Sequence, residues 1–121
     1  MKRDMDLIRQ IMKAIEELPA EGPFTSFQLQ DCGKDSREIM EHVALLVRSG
    51  YLEAICEPEY NRMIIQRITW VGHDFLDAAR DDEVWQEAKT RLKKIGSFTF
   101  AIVLEVLKDE AKKRLGRLIS E

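Results

Sequence analysis

The stretch that most constrains the fold is residues 50–78, GYLEAICEPEYNRMIIQRITWVGHDFLDA. Gly50 is a natural stop for a preceding helix. Ile55, Ile64, Ile65 and Ile68 then bring β-branched character to either side of a polar tip, Glu57-Pro58-Glu59-Tyr60-Asn61-Arg62. Strands are therefore expected at 52–56 and 63–68. Thr69 is a good N-cap for a new helix that carries Phe75, Leu76 and Ala79 inward. A short hairpin held between helices in this way is a β wing on a helical body.

The helices before it are readable from their ends. Ile8, Ile11, Ile15 and Leu18 recur at helical spacing over 4–18, with Leu7 and Met12 widening the stripe. Asp4 and Asp6 lie where the helix dipole favours negative charge, and Pro19 stops the helix. Glu21-Gly22-Pro23 reads as a turn, and Phe24 as a one- or two-residue strand that pairs with the wing. Thr25 or Ser26 caps a short second helix containing Phe27 and Leu29, and Cys32-Gly33-Lys34 is the next turn. In the third helix Asp35 and Glu38 form a capping-box pattern. Its core stripe is Ile39, Val43, Leu46 and Val47, and Tyr51 packs back on Leu46 beyond a left-handed Gly50.

Beyond the wing, Asp81 or Asp82 either caps a fresh helix or sits on a continuing one. Trp85, Ala88, Leu92 and Ile95 follow at heptad-like spacing until Gly96-Ser97 breaks the pattern. A last helix is expected over 100–118. Val103, Leu104, Leu107, Ala111 and Leu115 share one side of it, while Ile102 and Val106 fall on another. The expected architecture is mainly α with a small antiparallel β wing of two or three strands. Residues 1–80 form the core and 81–121 a helical extension packed with it, a single domain overall.

Bulk properties narrow the function classes. A chain of 121 residues with 45% hydrophobic content suits one domain. The net charge of -3 is not the basic balance of an obvious nucleic-acid binder. Nor is any segment polarised: 7 Lys+Arg face 9 Asp+Glu in 1–50, 3 face 5 in 51–80, and 9 face 8 in 81–121. Cys32 and Cys56 show neither a disulfide framework nor a CxxC spacing. The opening MKRDMDL lacks the apolar core of a signal peptide, and no apolar run is long enough for a bilayer, so no membrane association and a cytoplasmic location are expected.

Three stretches together, MKRDMDLIRQI, RITWVGHDFLDAARDDEVWQEAK and GSFTFAIVLEVLKDEAKKRLG, resemble a family of short bacterial and phage proteins known as a domain of unknown function. The resemblance covers most of the chain, and ITWVGHDFLDAARDD is its most specific part. It implies a phage or mobile-element context and supplies no catalytic residues. A wider resemblance is to winged helix-turn-helix regulators, in which a leucine-threonine pair ends the wing and a glycine follows three residues later. Here the pair is Ile68-Thr69 with Gly72, and HVALLVRSGYLEA is similar to the end of their recognition helix and the start of their wing. This likeness implies fold more than function.

If the chain binds duplex DNA as winged helices do, the third helix enters the major groove and the wing touches the backbone. The contact candidates are then Lys34, Ser36, Arg37, Arg62 and Arg67, with Lys2 and Arg3 as further phosphate contacts. Glu38, Glu41, Glu57 and Glu59 stand against this, since they repel phosphates. The alternative is a winged-helix module that binds protein and not DNA. Cys32, Cys56, His42 and His73 lack the spacing of a compact zinc motif, and both histidines read as surface or capping residues, so no metal or other cofactor is expected. His73-Asp74 are neighbours that point apart on a helix, and none of the common catalytic motifs occurs, so no enzyme is expected. Trp70 and Trp85 read as core or inter-helix filler before partner anchors. A homodimer is expected through the last helix, using Ile102, Val103, Leu104, Val106, Leu107 and Ala111.

Overall fold

The computed structural model describes residues 3–19, 24–32, 35–60, 62–96 and 99–120, apart from the side chains of Phe27, Gln30, Asp31, Leu118 and Ser120. It is mainly helical with a small three-stranded antiparallel sheet. The chain divides into two compact units, Met1–His73 and Asp74–Glu121. The division falls inside a helix, ahead of the boundary expected near residue 80.

The first unit begins with α1 (Met5–Glu17), whose N-cap Asp4 accepts the Leu7 N–H at 3.1 Å. Leu7, Ile8, Ile11, Met12 and Ile15 bury one stripe of it. β1 (Phe24–Thr25) is followed by a 3-10 helix (Ser26–Cys32), tighter than an ordinary α-helix. The buried Ser26 hydroxyl accepts the Met63 N–H at 3.0 Å, tying this turn to the wing. Helix α2 (Ser36–Arg48) starts at Asp35, which accepts the Glu38 N–H at 2.9 Å. Its buried residues are Ile39, His42, Val43 and Leu46. His42 thus takes the place expected for Val47, which is half-buried.

The helix stop is a Schellman ending. Gly50 has φ 80°, its N–H bonds to the Val47 carbonyl at 3.0 Å, and the Tyr51 N–H bonds to the Leu46 carbonyl at 2.9 Å. Strands β2 (Leu52–Glu57) and β3 (Arg62–Ile68) follow, joined through a 3-10 turn at Pro58–Tyr60. The sheet order is β1-β3-β2, with Phe24 opposite Ile65 and Ile55 opposite Ile64. A bulge shifts the register between Glu53 and Ala54, which pair with Arg67 and Ile65. Gln66 is the extra residue, so Ile65 and Ile68 lie three apart yet sit opposite Ala54 and Leu52 on one face.

Helix α3 (Trp70–Ala79) crosses from one unit to the other. In the second unit, Asp81 caps a fresh helix α4 (Asp82–Ile95) by accepting the Val84 N–H at 3.0 Å. Helix α5 (Phe100–Ser120) packs against α4. Val84, Trp85, Ala88 and Leu92 of α4 are buried, as are Val103, Val106 and Leu107 of α5. Ile95, expected at the end of the α4 stripe, is exposed. Phe75 meets the Trp85 ring edge-on, with centroids 6.3 Å apart. Among the described residues, no helix is long and apolar enough to cross a membrane.

Candidate functional site

The surface expected to meet a partner comprises the first turn of α2 and the wing. Asp35, Ser36 and Arg37 are exposed at the start of α2. The Arg37 side chain is 88% exposed, and its Nε lies 3.8 Å from the Glu41 carboxylate one turn on. Such a loose surface pair contributes little, so this guanidinium is available to another anion. Lys2 and Lys34 lie outside the described residues, and Arg3 is exposed ahead of α1.

The wing arranges its charges differently. Cross-strand partners put their side chains on the same face of the sheet. The outer face therefore carries three rungs: Glu53 with Arg67, Ile55 with Ile64, and Glu57 with Arg62. Arg67 Nε lies 3.2 Å from Glu53, and Arg62 Nε donates to Glu57 at 2.6 Å. The Arg62 guanidinium also lies 4.7 Å from the Tyr60 ring centroid. Both wing arginines are thus matched by a carboxylate, and the face between them is apolar, with Ile55 half in solvent. The sequence shows these arginines as cations. Their neutralisation depends on strand register, which the hairpin sets at Arg62 and the bulge shifts at Arg67.

Where the wing returns to helix, four residues interlock through their backbones. The Thr69 N–H donates to the Tyr51 carbonyl at 3.1 Å. The Thr69 hydroxyl donates to the Gly50 carbonyl and accepts the Gly72 N–H, the latter at 3.0 Å. A Cβ on Gly72 would fall 2.1 Å from the Tyr51 carbonyl oxygen and 2.8 Å from Ile68 Cγ2. Only glycine fits there without displacing the backbone. Burial pushes the Tyr51 phenol up to about 12, so it stays neutral. This junction is built to hold the wing in place.

The other candidates are spread over the molecule. Val103, Val106 and Leu107 are buried within the single chain, which corrects their expected place on a face left over for a second copy. Sequence alone shows two apolar sides on α5 and does not say which one faces α4. Ile102, Leu104 and Ala111 are half-buried, while Leu115 and Ile119 are 57% and 75% exposed. Trp85 is core, whereas Trp70 is 84% exposed at the first turn of α3, beside exposed Val71, and fills nothing. His42 is not a surface or capping residue: it is 1% exposed. Its place three residues after Ile39 and four before Leu46 is the sequence signal for that burial. His73 is exposed, Cys32 buried and Cys56 exposed. Among the described residues, no three His, Cys, Asp or Glu side chains form a group that could hold a metal ion.

The family described as Hypothetical protein (DUF2513) matches residues 2–99. This chain belongs to that family. It is also 34% identical over 128 residues to a protein of Haemophilus influenzae (strain ATCC 51907 / DSM 11121 / KW20 / Rd) that carries the name Uncharacterized protein, covering 99% of this chain and 100% of the relative. No solved structure matches. The family match spans the wing, α3 and α4 and ends before α5. Within the matched range, the segment ITWVGHDFLDAARDD comprises the Thr69–Gly72 interlock, the rest of α3 and the Asp81 cap. That stretch contributes to holding the fold.

Proposed function

We propose that the first unit is a winged helix-turn-helix that binds duplex DNA, with the 3-10 helix and α2 as its helix pair. The observation that carries this reading is the element order, helix, strand, short helix, helix, hairpin, with sheet order β1-β3-β2 and the first turn of α2 open to solvent. Ser36 and Arg37 approach the major groove, and Arg62 and Arg67 approach the flanking backbone. Glu41, Glu53 and Glu57 compete with phosphates for the same guanidinium groups, so binding is weak and falls steeply with salt. The protein acts as a binding regulator of phage or mobile-element context, not as an enzyme. An electrophoretic shift on random duplex DNA at low and moderate salt tests this. Replacing Arg37 and Arg62 together by Glu abolishes the shift, with circular dichroism confirming that the variant folds. Glu53→Gln with Glu57→Gln strengthens it by freeing both wing arginines.

A second reading, a winged-helix module that binds protein, is favoured by one observation: the outer wing face is charge-matched around an apolar rung. Absence of any shift at low salt, in the wild type and in the Glu53→Gln, Glu57→Gln variant, decides for it. Self-association belongs to the proposal as well, through the part of α5 left open: Leu104, Ala111, Leu115 and Ile119. Leu115→Glu with Ile119→Glu then gives a monomer by light scattering, and a wild type that is already monomeric at high concentration refutes the dimer. Leu107→Glu is no test of assembly, because it buries a charge inside the chain.

A further inference from the structure

We infer that His42 is a proton-sensitive latch that holds the start of α1 against α2. The ring is 1% exposed and both of its nitrogens are engaged. Nε2 lies 3.0 Å from the Asp4 backbone nitrogen. That group is an amide N–H and only donates, so Nε2 must be the bare, accepting nitrogen. Nδ1 lies 2.8 Å from the Glu38 carbonyl oxygen, which only accepts, so Nδ1 carries the hydrogen. The two partners together require the neutral ring in one tautomer.

A proton added at Nε2 sets one N–H against another. The Asp4 amide loses its acceptor, and a charge is created in a buried position. Asp4 is also the N-cap of α1, so the loss falls where that helix is anchored. The positive end of the α1 dipole adds to the cost of a cation there. The charged groups at this junction are Arg3, Asp4 and Asp6 at the α1 end, and Glu38 and Glu41 on α2 itself. The Asp4 carboxylate accepts the Leu7 N–H and Glu41 lies nearest Arg37. The 3-10 helix brings buried Cys32. The sheet's charges, Glu53, Glu57, Arg62 and Arg67, pair with each other on its outer face. Acid therefore loosens the start of α1 where it meets α2, while the interlock at Thr69 and Gly72 is made through backbone groups and the Thr69 hydroxyl.

The test is nitrogen-15 NMR of the full-length protein, with the pH lowered from about 8 until the His42 ring takes up its proton. At the upper end the His42 ring shows the Nδ1–H tautomer. As the ring takes up its proton, exchange of the Asp4 amide, corrected for its intrinsic pH dependence, speeds up about ten-fold. His42→Gln keeps an acceptor but cannot titrate, and in it the acid-induced change at Asp4 disappears. His73→Gln, which alters the other histidine, leaves the change intact. The inference is overturned if His42 shows the opposite tautomer, if the ring stays neutral until the fold is lost, if it protonates without altering the Asp4 amide, or if the change persists in His42→Gln. Should His42→Gln fail to fold, the wild-type titration with the His73→Gln control decides alone.

Discussion

The two units hold themselves together by different means. In the first, the junction between wing and helix is made of backbone groups and steric fit: the Thr69 N–H on Tyr51, the Thr69 hydroxyl between Gly50 and Gly72, and a glycine against a carbonyl. In the second, α4 and α5 share an apolar seam that is closed on its flanks by ion pairs. Arg91 bonds Asp109 at 2.6 Å and the buried Glu110 at 2.9 Å, while Arg114 joins Asp81 at 3.3 Å and also Glu83. Backbone interlocks tolerate almost no change in shape but are indifferent to salt and acid. Ion-paired helices tolerate shape changes and respond to both. The substitutions below separate these two modes.

The largest effect is expected at Gly72. Gly72→Ala drives a methyl group into the Tyr51 carbonyl, and neither backbone segment can move without breaking the Schellman ending or the sheet. A loss of about 3 kcal/mol is expected from urea unfolding, at the upper end for overpacking. A loss below about 1 kcal/mol would show the junction to be pliable and remove the contrast between the units. Thr69→Val comes next. It keeps the shape and removes both hydroxyl bonds, for about 2 kcal/mol, with no dependence on salt.

In the second unit Glu110→Gln keeps the size of a buried side chain while removing its charge. Arg91 retains Asp109, so the expected cost is about 1 kcal/mol. Salt should narrow this difference, unlike that of Thr69→Val. Equal salt responses in the two variants would mean that the ion pairs contribute nothing beyond packing.

Much of this contrast was legible in the chain. The Asp35 cap, the Gly50 stop and both long wing strands follow from local chemistry, because each depends on a few neighbouring residues, whereas the sequence shows Asp4 only as a charge at a helix start and leaves Asp81 open between a new helix and a continuing one. What depends on register or on packing direction was not legible. The pairing of Arg67 with Glu53 needs the bulge at Gln66, and no composition rule locates a bulge. The apolar residues of α5 surround its first half, so only the packed structure shows that Val103, Val106 and Leu107 face inward. Trp70 looks like core by type, yet as the first residue of α3, just after its cap, it points to solvent. The carboxylates that stand against phosphate contact are readable as residue types, but that Glu57 meets Arg62 and Glu53 meets Arg67 is visible only once the strands are paired.

The smallest expected effect sharpens the comparison most. Asp109 accepts hydrogen bonds from Arg91 and Lys113, and these hold its carboxyl below the usual carboxylate range. In the unfolded chain the same group returns to about 4. A carboxyl depressed in the folded state favours folding at pH values above its unfolded range, and that contribution fades as pH falls through the folded value. Acid should therefore weaken the second unit through Asp109 only below about pH 4. In Asp109→Asn, stability near neutral pH should fall slightly and the slope of stability against pH below about 4 should flatten. Urea midpoints at a series of pH values measure both. An unchanged slope would mean that the pair with Arg91 persists equally in the unfolded chain.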